Sequence, residues 1–290
     1  MPAARYQHLD DPFWTSLLAL CAEAGASICE HYNEPSLAGK LRAKADDSPL
    51  TRADLASHTI LSRGLAALEP ALPVLSEESD RSELVDRLQW ERFWMVDPLD
   101  GTREFLERTG EFTINVALID AQRAVAGVIY RPLERRAYYG ALGAGARCYS
   151  WRESDGQGEA IHTSPLGAST LILLASRRHR NARLQRTLEV LGSAREIERR
   201  DSSSALKFCE LAAGRGDCYP RFSPCSEWDV AAGDALVTAA GGAVLGMDGK
   251  PLRYNRRETL LAEPFLAVGD PTDPLWGDLL AQLNSGDQAP

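Results

Sequence analysis

Apolar residues fall three and four positions apart at Phe13, Leu17, Leu20, Cys21, Ala24 and Ile28, the spacing of one buried helix face. Asp11-Pro12 ahead of them supplies a capping carboxylate and a first-turn proline, so a helix is expected to about Tyr32. A second helix is expected from about Arg52 to Leu68, with Pro70 and Pro73 ending it before a short strand at Val74-Leu75. From Phe93 the pattern becomes extended. Residues 112–119 and 124–130 read as strands joined by a short turn, followed by strands at 136–139 and 147–149. Short links between successive strands predict an antiparallel sheet.

The polar, glycine-containing stretch 153–159 is the best candidate boundary, giving an N-terminal α+β subdomain (1–155) and a C-terminal α/β subdomain (156–290). Beyond it, strands at 171–175, 217–219 and 265–268 alternate with helices over 181–191, 204–213, 228–240 and 275–283. Gly241-Gly242 supplies a C-terminal stop for the third of these helices. The whole reads as α+β, an antiparallel first half followed by alternating elements.

Composition narrows the function classes. A net charge of −9 argues against a nucleic-acid polymer as partner, which usually leaves a basic footprint. A small phosphorylated substrate stays open, because local cations and bound metal outweigh global charge inside a site. No uninterrupted apolar run approaches the roughly 20 residues that span a bilayer, so no transmembrane segment is expected. Met1-Pro2-Ala3-Ala4-Arg5 lacks the apolar segment of a secretory signal. The six cysteines form no Cys-x-x-Cys pair and no zinc-ligand spacing, and Cys21 and Cys29 sit in the first helical pattern. A reduced, cytoplasmic setting follows, with peripheral association at the inner membrane face left open.

The candidate chemistry lies where acids gather at element ends. The strand from Phe93 stops at Asp97-Pro98-Leu99-Asp100-Gly101-Thr102. Further acids stand at Asp46-Asp47, at Glu77-Glu78 after the Val74-Leu75 strand, and at Glu227-Trp228-Asp229. Each cluster alone is also explained by helix capping, a turn or a solvated surface. Converging, they would form an all-oxygen site suited to Mg²⁺ rather than zinc, with positions left for substrate phosphate.

Glu77-Glu78-Ser79, Asp97 to Thr102 and Trp228-Asp229-Val230-Ala231-Ala232-Gly233, in this order, resemble the inositol monophosphatase-like superfamily of metal-dependent phosphatases. The likeness runs from about Leu17 to Val268. Within it, Lys44-Ala45-Asp46-Asp47-Ser48-Pro49-Leu50-Thr51, Arg103-Glu104-Phe105 with Gly110-Glu111-Phe112-Thr113, and Ser203-Ser204-Ala205-Leu206-Lys207 are similar to the 3′(2′),5′-bisphosphate nucleotidase branch. Ala205 departs from it, since the branch often has a second serine there.

The resemblance implies a layered αβαβα sandwich, with an antiparallel sheet in the first half and a mixed one in the second. It implies two or three Mg²⁺ ions held by Glu77, Asp97, the Leu99 carbonyl, Asp100 and Asp229. Asp47 and Thr102 would handle the water nucleophile, and Glu78 is not expected to be a ligand. Gly101, Thr102, His179, Ser204, Lys207 and Arg221 would meet the substrate. The implied reaction removes the 3′-phosphate of adenosine 3′,5′-bisphosphate, clearing a by-product of sulfate assimilation, in a monomer or homodimer. An inositol or sugar monophosphatase with the same metal site is the enzymatic alternative, and a non-catalytic metal-binding scaffold the other.

Overall fold

Asp11 accepts the Phe13 amide hydrogen at 2.8 Å and so starts α1 (Pro12–Tyr32), as its Asp-Pro pair predicts. The structure is a computed structural model that describes residues 5–34, 42–43, 49–68, 72–151, 158–167, 169–177 and 181–286. A two-stranded ribbon of β1 (Arg42–Ala43) and β2 (Pro49–Leu50) precedes α2 (Arg52–Leu68). Seven strands follow: β3 (Val74–Ser76), β4 (Arg92–Asp100), β5 (Thr113–Asp120), β6 (Arg123–Arg131), β7 (Arg136–Ala141), β8 (Gly145–Ser150) and β9 (Glu159–Ile161). They form one sheet in chain order, with the short helix α3 (Thr102–Leu106) between β4 and β5.

This sheet is antiparallel except at one edge, where β3 runs parallel to β4 because the chain returns to the same end before β4 begins. The antiparallel sheet expected for the first half thus carries one parallel edge pair. β9 lies beyond most of the expected boundary stretch and still pairs with β8, so the first sheet closes only at Ile161.

The second sheet has the order β11-β10-β12-β14-β13. Its members are β10 (Thr170–Ala175), β11 (Glu196–Asp201), β12 (Cys218–Arg221), β13 (Ala243–Gly246) and β14 (Phe265–Val268). β10 pairs parallel with β11 and β12, whereas β14 runs antiparallel to both β12 and β13. It is the mixed sheet expected. Its helices are α4 (Ala182–Gly192), α5 (Leu206–Ala212), α6 (Ala231–Ala239) and α7 (Leu275–Gly286). The helix expected over 228–240 is divided, with a 3₁₀ turn (Glu227–Asp229) leading and α6 beginning at Ala231.

Alternation along β4 shows how the layers are built. Trp94 and Val96 join Phe13, Leu17 and Leu61 of α1 and α2 in one apolar cluster. Phe93 and Met95 point the other way, to Phe208 and Leu236 of α5 and α6. Leu171, Leu173 and Leu266 on the outer face of the second sheet pack with Leu184, Trp276 and Leu279 of α4 and α7. Five layers result, helix–sheet–helix–sheet–helix. α6 sits so near the first sheet that a Cβ on Gly127 of β6 would meet the Ala232 carbonyl at 2.5 Å. α1 is long and apolar enough to cross a bilayer, which apolar runs alone did not reveal, but its Phe13, Trp14, Leu17, Cys21, Ala24 and Ile28 are core residues.

Candidate metal and phosphate site

The central strand β4 carries the acidic residues to its end. Its pairing with β5 is regular as far as Asp97 opposite Asn115, then shifts before Asp100 opposite Thr113. Asp97 accepts the Leu99 amide hydrogen at 3.0 Å within this irregularity. The bulge aims Asp97 and Asp100 into one space. Asp229 reaches it from the other half, on the 3₁₀ turn, where it accepts the Ser226 amide hydrogen at 2.8 Å. One carboxylate oxygen each from Asp97, Asp100 and Asp229 lies within 4.8 Å of the others.

Electrostatics follow from that crowding. Burial pushes the Asp97 carboxyl well above its ordinary range, and the charges of Glu77, Asp100 and Asp229, with a hydrogen bond to Glu77, push it further. Burial, then Asp100 and Glu77, raise Asp229 to about 7. Glu77 follows β3, its amide hydrogen bonded to the Val96 carbonyl at 3.0 Å, which seats it beside Asp97. Carboxylates held this way suit a hard divalent cation, and every donor is oxygen. The residues present fit Mg²⁺.

Asp100 is steadied by Asn115, whose amide donates at 3.2 Å. Gly101 comes next with φ of +91°, where an added Cβ would meet the Glu111 carbonyl at 2.9 Å and Ser204 Oγ at 3.0 Å. Only glycine fits there without strain. Thr102 then opens α3, and its hydroxyl lies 3.2 Å from both the Leu99 carbonyl and Asp54 Oδ1.

Asp54 was not singled out from sequence. It is almost wholly buried in the first turn of α2, where its Oδ2 accepts the Thr51 amide hydrogen at 2.8 Å and the Thr51 hydroxyl at 2.5 Å. Thr51-x-x-Asp54 is a reciprocal helix cap, a pattern that reads as structure alone. One oxygen caps the helix and the other faces Thr102. Ser57, one turn on, donates to the Pro98 carbonyl at 2.7 Å and ties α2 to the acidic strand end. Asp47, the carboxylate expected beside Thr102, lies outside the described residues, as does His179.

A cleft of about 410 Å³ extends from Asp100, Gly101 and Asp229 to Ser204, Lys207 and Arg221. Ser204 sits at φ of +53° and donates to the Asp100 carbonyl at 2.7 Å. Lys207 is 2 % exposed, and its Nζ donates to the carbonyls of Ser202 at 3.1 Å and Ser204 at 2.7 Å. It also stands over the Tyr219 ring at 5.1 Å. Burial pulls its pKa down to about 8, against the pull of Asp100. Arg221 donates to the carbonyls of Ser223 and Pro224, both at 3.1 Å. Glu111, unassigned from sequence, accepts the Ser203 amide hydrogen at 3.0 Å and pairs with Arg177 at 2.5 Å. It binds the two halves beside the cleft.

Known proteins resemble this chain in sequence and fold. The model of the inositol monophosphatase family matches residues 10–277. The 3′(2′),5′-bisphosphate nucleotidase CysQ of Salmonella typhimurium is 42% identical over 246 residues, 85% of this chain and 95% of its own. Its namesake from Escherichia coli K12 matches with the same identity and coverage. The crystal structure of CysQ from Bacteroides thetaiotaomicron superposes with a TM-score of 0.74 at 36% identity, covering 88% of this chain and 96% of that one. Sequence and fold agree from the first helix to the start of the last, and the chain belongs to the inositol monophosphatase family.

Proposed function

We propose that this protein is a Mg²⁺-dependent phosphatase that removes the 3′-phosphate of adenosine 3′,5′-bisphosphate, giving AMP and phosphate. One observation carries the reading: the acidic strand end and two buried or half-buried cations share a single cleft. The CysQ relatives, named as 3′(2′),5′-bisphosphate nucleotidases, support a bisphosphonucleotide substrate.

Glu77, Asp97, the Leu99 carbonyl, Asp100 and Asp229 would hold two or three ions. Bound Mg²⁺ supplies a water of lowered pKa and offsets the charge of the phosphate. Thr102 would position the attacking water, and Asp54, which accepts the Thr102 hydroxyl hydrogen, would take up the proton passed through that hydroxyl. Among the described residues, Asp54 suits the role that the resemblance implied for Asp47. Gly101 lets the backbone approach the scissile phosphate without a side chain in the way. Ser204 and Lys207 shape the far wall, and Arg221 adds positive charge beside them.

Phosphate release from adenosine 3′,5′-bisphosphate, its 2′,5′ isomer and inositol 1-phosphate, with and without Mg²⁺, tests the reading. Mg²⁺-dependent release with a preference for the bisphosphonucleotides is expected. A strong preference for inositol 1-phosphate would sink the nucleotidase assignment, and no release from any of the three would favour a non-catalytic metal-binding role.

A further inference from the structure

The cleft is lined by three cations, Arg103, Lys207 and Arg221. Lys207 directs Nζ to two backbone carbonyls, and Arg221 directs Nε and Nη2 to two more. Each is thereby tied to the turn it supports, Ser202–Ser204 or Ser223–Pro224, with part of its donor set committed. Arg103 is different. Its guanidinium makes no hydrogen bond or ion pair among the described residues, and its side chain is exposed at the cleft.

Its backbone is nonetheless fixed. Arg103 is the second residue of α3, and its carbonyl accepts the Glu107 amide hydrogen at 2.8 Å. The Gly101 carbonyl accepts the Phe105 amide hydrogen at 2.9 Å, so the helix hangs directly from the Gly101 turn. The base of the Arg103 side chain therefore stands at a set distance from Asp100. A guanidinium with five uncommitted N–H donors is suited to a phosphate, which it can meet with paired hydrogen bonds. In a 3′,5′-bisphosphate the two phosphates lie one sugar apart, so the group that reads the second must stand near the acidic strand end.

Resting on the nucleotidase reading, we propose that Arg103 is a specificity-determining residue that recognises the non-scissile 5′-phosphate of the substrate. Glu104, beside it on the cleft wall, acts electrostatically on Lys207 and favours its charged form. Arg103 thus adds selectivity for a second phosphate and leaves bond cleavage to the acidic end.

The test compares steady-state kinetics of wild type, Arg103→Ala and Arg103→Lys on adenosine 3′,5′-bisphosphate and on adenosine 3′-monophosphate, which lacks the 5′-phosphate. Arg103→Ala is expected to raise KM for the bisphosphate about tenfold, with kcat nearly unchanged and the monophosphate unaffected. Arg103→Lys should recover part of the loss, since it keeps the charge and loses the fork. The wild-type preference should also shrink as salt is raised, as befits an exposed contact. A wild type that prefers the bisphosphate, with a variant that keeps that preference, overturns the role of Arg103 alone. So does an equal rise in KM on both substrates. A wild type without any preference for the bisphosphate overturns the nucleotidase reading, and the Arg103 assignment falls with it.

Discussion

The two walls of the cleft handle charge in opposite ways. On the β4 side, Asp97, Asp100 and Glu77, joined by Asp229, are crowded until burial and mutual repulsion lift Asp97 well above its ordinary range. On the α5 and β12 side, Lys207 and Arg221 are tied to backbone carbonyls. Among the described residues no ion pair joins these cations to Asp97, Asp100 or Asp229, although both walls face one space. Had they paired, each charge would have been cancelled within the protein. Anchoring the cations to main-chain oxygens keeps both walls available, one for metal and the other for a phosphorylated ligand.

The largest way to break that contrast is Asp97→Asn. Turnover should fall about a thousandfold or more, since several kcal/mol of transition-state stabilisation depend on the metal. The same variant should melt no lower than wild type in chelator, because a buried repulsive charge is gone. Phosphate-release assays and thermal melts in EDTA check both, and normal activity would refute the metal-site assignment.

Next comes the pair that joins the helix cap to the strand end. Thr102→Ala and Asp54→Asn should each lower kcat by about 10²–10⁴-fold, the range for proton-handling groups. KM should change little. The double variant should be hardly worse than either single one if the two act as a unit. Additive losses in single-turnover measurements would separate them.

A smaller effect sharpens the cationic wall. Lys207 has its folded-state pKa lowered from 10.5 to about 8, so its charge is lost as pH rises through about 8. KM for the bisphosphate should climb several-fold above that pH, and Lys207→Met should remove the inflection. Unfolding does not explain such a rise. Between about pH 8 and 10.5 the unfolded chain binds more protons at this group, so raising pH favours the fold.

The smallest expected effect serves as a control away from the cleft wall. Asp234 on α6 accepts from Tyr254 at 2.8 Å and Thr238 at 3.2 Å, yet burial raises its pKa from 3.8 to about 6. The folded state therefore holds this proton more tightly, and stability contributed here falls as pH rises from about 4 to 6. Asp234→Asn should flatten that slope in denaturant titrations while leaving kcat unchanged. A slope identical to wild type would show that Asp234 stays ionised throughout.

Legibility in the sequence followed periodicity and chemistry where the two agreed. α2 and β14 fall at the expected bounds because their patterns are strong and their stops are clear. Residues 97–102 stood out because two aspartates and a glycine interrupt an apolar strand. Asp54 was hidden because Thr51-x-x-Asp54 has a sufficient meaning as a helix cap, and only tertiary packing brings Thr102 to its second oxygen. β13 was masked by Gly241-Gly242, which end one element and begin the next within two residues. β11 escaped notice because Glu-Ile-Glu-Arg-Arg-Asp lacks the apolar alternation that marks a half-buried strand.

That last strand has a consequence for how the molecule behaves in a crowd. β11 is an outer strand of the second sheet, so among the described residues one side of its backbone lacks a strand partner. Such a margin is a template on which another copy could dock and start open-ended growth. Five of its six residues are charged, with Arg199 held to Asp201 and Arg200 to Glu198, both at 2.7 Å. An approaching strand would have to strip water from that row of ions. The composition that concealed β11 as a strand thus guards the protein against aggregation.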